Sequence, residues 1–199
     1  MGEPQTYGSH QAQPEEVLSD ALIQARKGEE AGFAVLWRHH NSRLTRFVQS
    51  RTYGSSIDAD EVVSETWLNV AKDIRKFDGG PSEFSAWLYS ISRNRIIDAV
   101  RIRDRQVRPT EELEEAFWIP SPLNVEKEFD ASEEVRRIIR AINSLPAAQA
   151  EVLALRIVSD LSVAETAKVV KKSANSVRVL AHRGLTALRA ELAGESNNE

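Results

Sequence analysis

Apolar positions along the chain recur mostly at helical spacing, and Gly and Pro are too sparse for an all-β protein. The pattern predicts a short helix near Leu18–Lys27, a longer one near Glu30–Thr52 and a third near Asp58–Phe77. Ser56 and Asp58, ahead of the third, are good capping types. The sequence DGGPS at 78–82 then breaks the chain. A fourth helix is predicted from about Ser82 to Arg105, with Pro81 beside its start. Composition changes over 106–130, which holds Pro109, Pro120, Pro122 and an isolated Phe117-Trp118-Ile119. This stretch reads as a flexible acidic linker. Further helices are predicted near 132–143, 146–158, 163–170 and 174–191. The expectation is an all-α chain of two small helical domains, 16–105 and 131–192, each with its own core. Tails at 1–15 (disordered) and 193–199 flank them.

The last two helices carry the strongest local signals. Ser162 with Glu165 forms a capping box, and Ser173 suits the N-cap of the final helix. The pair has the length of a helix–turn–helix. At 100° per residue, Val177, Ala181, Gly184 and Leu188 fall on the inward side of the final helix. Asn175, Arg178, Val179, His182, Thr186 and Arg189 fall on the other. Amide, guanidinium, imidazole and hydroxyl groups can read base edges and hold phosphates in a major groove. A solvated surface helix would mix in Asp and Glu, and this face has none until Glu191. At the turn, Lys171 and Lys172 stand where a Gly and a buried apolar residue often do. Lysine takes left-handed geometry only with strain, so a less regular turn is expected.

The chain has 199 residues, no cysteine and a formal net charge of −4. Disulfides, zinc ribbons and thiol chemistry are excluded, and a reducing cytoplasm fits. No apolar run reaches the roughly 20 residues needed to span a bilayer, so no membrane insertion is expected. Gly2 and Thr6 fit an acylation pattern, read as coincidence in the tail. The distribution of charge says more than the sum. Residues 93–108 hold six arginines against Asp98 and Asp104; residues 111–134 hold nine acids against Lys127; residues 166–190 hold six Lys or Arg and no acid. Two basic segments flanking an acidic one suit a protein that meets nucleic acid twice.

On the fourth helix Trp87, Asn94, Arg101 and Arg105 form one stripe, with Arg93, Arg95 and Arg103 around it. An aromatic to stack, an amide for a base edge and guanidiniums for phosphates suit a nucleic-acid strand. Trp87 taken alone reads slightly better as a core residue; the arginine cluster does not. On the third helix Val63, Trp67 and Val70 mark the buried side and Glu61, Glu65 and Lys72 the exposed one, with Asp60 at the edge of the buried side. The acids lie on an open helical face without a nearby histidine, which favours protein docking or solubility over catalysis or metal.

These segments together resemble the extracytoplasmic-function sigma factors of the sigma-70 family. LIQARKGEEAGFAVLWRHHNSRLTRFV (22–48) resembles the opening helices of sigma region 2. DADEVVSETWLNVAKDIRKFD (58–78) resembles the segment that binds the polymerase clamp helices. FSAWLYSISRNRIIDAVRIR (84–103) resembles the segment that melts and reads the minus-ten element. SLPAAQAEVLALRIVSDLSVAETAKVVKKSANSVRVLAHRGLTALRAEL (144–192) resembles region 4, which reads the minus-thirty-five element. The resemblance implies polymerase-binding roles for Asp60, Glu61 and Glu65. It implies minus-ten contacts from Asp78, Trp87, Arg93, Asn94, Arg101 and Arg105, with the loop Phe77–Phe84 pocketing a flipped base. It implies minus-thirty-five contacts from Asn175, Arg178, Val179, His182, Arg183 and Thr186. The partners implied are core RNA polymerase through its clamp helices and flap, promoter DNA, and an anti-sigma factor; no cofactor or metal is implied. The linker would run toward the polymerase active-site channel. Ser64 stands where the family often has Gln, and Leu180 where some members have Arg. The extra C-terminal domain of some members is not expected.

An ordinary helix–turn–helix repressor or activator would explain 162–191 but not the arginine-rich fourth helix or the acidic linker. An enzyme is disfavoured. His10, His39, His40 and His182 form no metal motif, adjacent His39 and His40 are expected to point apart on a helix, and no Gly-rich phosphate loop or nucleophile elbow occurs.

Overall fold

A computed structural model describes residues 15–107 and 133–195, with side chains for 15–103 and 133–193. The expected tails and most of the linker lie outside these residues. The first block consists of α1 (Glu15–Lys27), α2 (Glu30–Thr52), α3 (Ala59–Asp73) with a 3-10 turn at Ile74–Lys76, and α4 (Pro81–Val107). The second consists of α5 (Glu133–Asn143), α6 (Ala147–Leu153) continued by a π-turn at Ala154–Val158, α7 (Val163–Val170) and α8 (Ala174–Glu195). No strand occurs among the described residues, and none of their helices is long and apolar enough to cross a membrane.

Local chemistry places most boundaries. Asp58 caps α3, its Oδ1 accepting from Asp60 N at 3.0 Å. Pro81 opens α4, where its missing N–H costs nothing. Gly28, at φ +85°, reverses the chain between α1 and α2. These two helices then cross closely, because a Cβ on Gly32 would stand 2.5 Å from the Ala21 carbonyl oxygen. Ser162 accepts from Glu165 N at 3.1 Å while the Glu165 carboxylate accepts from Ser162 N at 2.7 Å, completing the capping box.

The turn after α7 is regular, against expectation. Lys171 takes the left-handed conformation at φ 53°, ψ 44°, and Lys172 N donates to Ala167 O at 3.1 Å. That hydrogen bond satisfies an end-of-helix carbonyl and holds a lysine where glycine is usual.

The main core is built from Leu36, Leu44, Phe47, Val48, Val70, Phe84, Leu88 and Tyr89 of the first block. It runs without a break into Val152, Leu155, Leu161, Val169 and Val177 of the second. Among the described residues, only a smaller cluster, around Ile142, Leu145, Leu153 and Leu188, belongs to the second block alone. The sequence led us to expect a core for each block, not this shared one. A second expectation is corrected at His39 and His40. Their rings meet edge to face at 4.7 Å rather than pointing apart. His40 also lies 5.3 Å from Phe84. Burial, with His39 and Arg43 adding to it, pulls the His40 imidazole down to about 3, so it sits neutral in the core.

Candidate nucleic-acid interface

On α8 the helical sorting holds. Val177, Gly184 and Leu188 are buried, while Asn175, Arg178, Val179, His182, Arg183, Thr186 and Arg189 are exposed. Gly184 lets the helix approach α6, since a Cβ there would stand 2.9 Å from Leu153 Cδ1. Ser173 Oγ accepts from Ser176 N at 3.1 Å and starts the helix. Thr186 donates to the His182 carbonyl at 3.0 Å, so its hydroxyl proton is used along its own helix. The rest of the face stands open to solvent and carries positive charge only.

The second candidate surface is a cleft of about 610 Å³ between the end of α3 and the middle of α4, lined by residues that include Phe77, Asp78, Trp87, Asn94 and Arg95. Phe77 and Trp87 stack with centroids 4.9 Å apart and planes 20° from parallel. Trp87 is therefore both partly packed and part of the cleft wall, which joins the two readings the sequence left open. Asn69, Asp73, Lys76, Ile91 and Asp98 complete the lining, and sequence reasoning missed them as site residues. Asn69 and Asp73 are four apart on α3 and share its face, but nothing local says that α4 lies opposite.

The arginines divide. Arg101 is exposed on the Asn94 stripe. Arg105 lies in α4, and its side chain is outside the described ones. Arg95 lines the cleft and is held there, donating to Asn69 Oδ1 at 3.1 Å and lying 3.9 Å from Glu65 Oε2. Arg93 points away from the cleft into the second block, where its Nε donates to Glu151 Oε1 at 2.6 Å. Residues two apart on a helix point some 200° around it, so one stripe could not hold both.

On α3, Asp60, Glu61 and Glu65 are all exposed, which corrects the placement of Asp60 at the buried edge. Leu68 follows Glu61 and Glu65 along the same face and is 69% exposed. The carboxylates of Glu61 and Glu65 beside it make this face unsuited to a phosphate backbone. The seven-residue spacing of Leu68 from Glu61 is the signal that could have identified it. Behind this face, Trp67 is anchored by a hydrogen bond from Nε1 to Asn41 Oδ1 at 3.0 Å. Among the described residues no group of His, Asp and Glu could hold a metal ion.

Comparison with known proteins agrees with this layout. Sigma-70 region 2 matches residues 36–106 and Sigma-70, region 4 matches residues 135–188. The ECF RNA polymerase sigma factor BldN of Streptomyces coelicolor is 29% identical over 175 residues, covering 86% of this chain and 64% of BldN. The ECF RNA polymerase sigma factor RpoE of Cereibacter sphaeroides is 31% identical over 140 residues, covering 70% of this chain and 74% of that protein. The sigma factor RpoE of Bartonella quintana, solved in complex with the anti-sigma factor NepR, superposes with a TM-score of 0.66 at 22% identity, covering 81% of this chain and 96% of that one. At that identity the likeness speaks for the fold. The chain spans just under two thirds of the length of the first curated relatives it matches.

Proposed function

We infer what the chain does from its kinship: it belongs to the ECF RNA polymerase sigma factors. As such a factor it binds core RNA polymerase and directs initiation at promoters that it selects itself. The observation that carries this reading is the pairing, in one chain, of an aromatic-walled cleft with an exposed helix face that carries no acid. The cleft of Phe77, Trp87 and Asn94 has a ring to stack on an unpaired base and an amide for its edge, as a melted minus-ten strand requires. Asp78 stands at its rim, and Arg101 continues it along the helix toward the phosphates, with Arg105 beyond.

The face of α8 enters a major groove at the minus-thirty-five element. Arg178 and His182, one turn apart, address base edges; Asn175, Val179 and Thr186 flank them, and Arg183 and Arg189 hold phosphates. Glu61, Glu65 and exposed Leu68, with Asp60 ahead of them, dock on the polymerase clamp helices. The RpoE–NepR structure supports extending an anti-sigma partner to this chain. The chain acts by binding and positioning, without catalysis of its own.

Run-off transcription tests the proposal. The chain with core polymerase should start transcripts at defined sites, while neither component alone should. Tight operator binding by the chain alone, with no core-dependent transcript, would replace this reading with that of a repressor.

A further inference from the structure

We propose that Arg26, on α1, is a positioning residue for the minus-ten cleft: it holds the loop Phe77–Gly80 in the shape that forms one wall of that cleft, and so sets base preference there without touching DNA. Its effect on base preference rests on the function proposed above; its hold on the loop does not. The loop needs an anchor. It reads Phe77-Asp78-Gly79-Gly80, and successive glycines lose more conformational freedom on being fixed than other residues do. Phe77 and Asp78 both line the cleft, so drift of the loop moves two lining groups at once.

Arg26 supplies the anchor at two points. Its Nη2 donates to the carbonyl oxygen of Gly79, 53 residues away. Its guanidinium carbon lies 5.3 Å from the centroid of the Phe77 ring, within the range of a cation–π contact. The same ring stacks on Trp87 and meets Phe84 edge to face at 5.8 Å. The start of α4 fixes the other end of the loop. Gly80 N donates to Glu83 Oε2 at 3.2 Å, and a Cβ on Gly79 would stand 2.7 Å from Glu83 Cβ. Phe77 N donates to Ile74 O, and Gly80 O accepts from Phe84 N. Backbone groups are thus fixed on either side of Asp78, whose side chain is exposed. Among the described residues, the hydrogen bond from Arg26 is the one that reaches the loop from outside residues 74–84. A cation in the last turn of a helix often does no more than offset the helix dipole from solvent. Lys27, exposed at the end of α1, is placed for that. Arg26 is not, because its Nε is buried and finds no hydrogen-bond partner among the described residues. An idle buried donor is unfavourable, so the side chain is held there by what it gains at Gly79 and Phe77.

Two measurements test this, one of them without DNA. The chain has no cysteine, so a spin label at Asp78→Cys reports the mobility of the loop through its electron paramagnetic resonance line shape. Arg26→Leu keeps bulk but removes the donor and the charge, and should narrow the lines. Arg26→Lys keeps a donor and the charge, and should leave them close to those of the Arg26 chain. In the second measurement the unlabelled chain and core polymerase transcribe a run-off library randomised in both promoter elements. Arg26→Leu should lower base preference severalfold at one or two minus-ten positions and leave minus-thirty-five preference and core affinity as they are. Arg26→Lys should restore most of the loss. Should Arg26→Leu not fold by circular dichroism, Arg26→Gln, which removes the charge over Phe77 but keeps a polar end, carries the test. An unchanged line shape, an unchanged minus-ten preference, or an even loss across both elements would each overturn the proposal. A loop freed as expected, in a chain whose wild type starts no transcript with core, would instead sink the promoter reading and leave the anchor standing.

Discussion

Glu65 and Arg95 join two surfaces that the sequence treats separately: the Glu65 carboxylate lies 3.9 Å from Arg95 Nη1, across α3 and α4. One end of this pair stands on the face proposed for polymerase, and the other lines the cleft proposed for the minus-ten strand. The pair is about half exposed on the Glu65 side, so it adds little to stability. A partner that engaged Glu65 would leave Arg95 held by Asn69.

Glu61 and Glu65 should therefore behave differently. Reversal of either to Lys should weaken core association in a pull-down titration. Folding should survive, because exposed substitutions usually cost within about 0.5 kcal/mol. Only Glu65→Lys should also change the affinity of the assembled complex for single-stranded minus-ten DNA. Equal effects of both variants on DNA would remove the link through Arg95, and unchanged core affinity for both would remove the docking face.

Trp87→Ala should weaken binding of a fork template by the complex with core polymerase by about 1–3 kcal/mol, the usual worth of one base stacked on an aromatic ring. Trp87→Phe should recover a good part of the loss, because Phe can still stack on Phe77. Fluorescence anisotropy with labelled fork DNA reads both. An Ala variant that binds as tightly as wild type would make Trp87 a packing residue only.

Arg178→Ala should cost about 1–3 kcal/mol if its guanidinium makes a bidentate base contact, and should relax preference at one or two upstream positions. Contact with phosphate alone would instead lower binding evenly and reduce the salt slope by about one unit. Run-off transcription from a library randomised in the upstream element, with His182→Ala in parallel, separates the two. If neither substitution changes transcription, α8 does not face the promoter.

Acid should destabilise the first block through His40. Its imidazole is held down at about 3 by burial, against 6.5 when exposed. The unfolded chain therefore binds the proton first as the pH drops. This contribution to stability is complete above pH 6.5 and falls on acidification toward pH 3, by about 1.4 kcal/mol per unit. Urea melts at pH 7.5 and 5.5 should show a smaller acid loss in His40→Leu than in wild type. Parallel losses would mean that His40 is not buried neutral.

What the sequence determined by itself is whatever is settled within about one helical turn. The capping box of Ser162 and Glu165, the cap at Asp58, the limits of α7 and the outward face of α8 were all legible, because their causes lie three or four residues apart. The stripe through Trp87, Asn94 and Arg101 was legible for the same reason. The tertiary structure decided which distant groups meet. Arg93 and Glu151 are 58 residues apart, and Arg95 and Asn69 are 26 apart; periodicity places each on a face but cannot say what that face is packed against. It also decided that the two blocks share apolar contacts. An apolar stripe can be covered by its own block or by the other, and only the competition between those packings, settled over the whole chain, selects one.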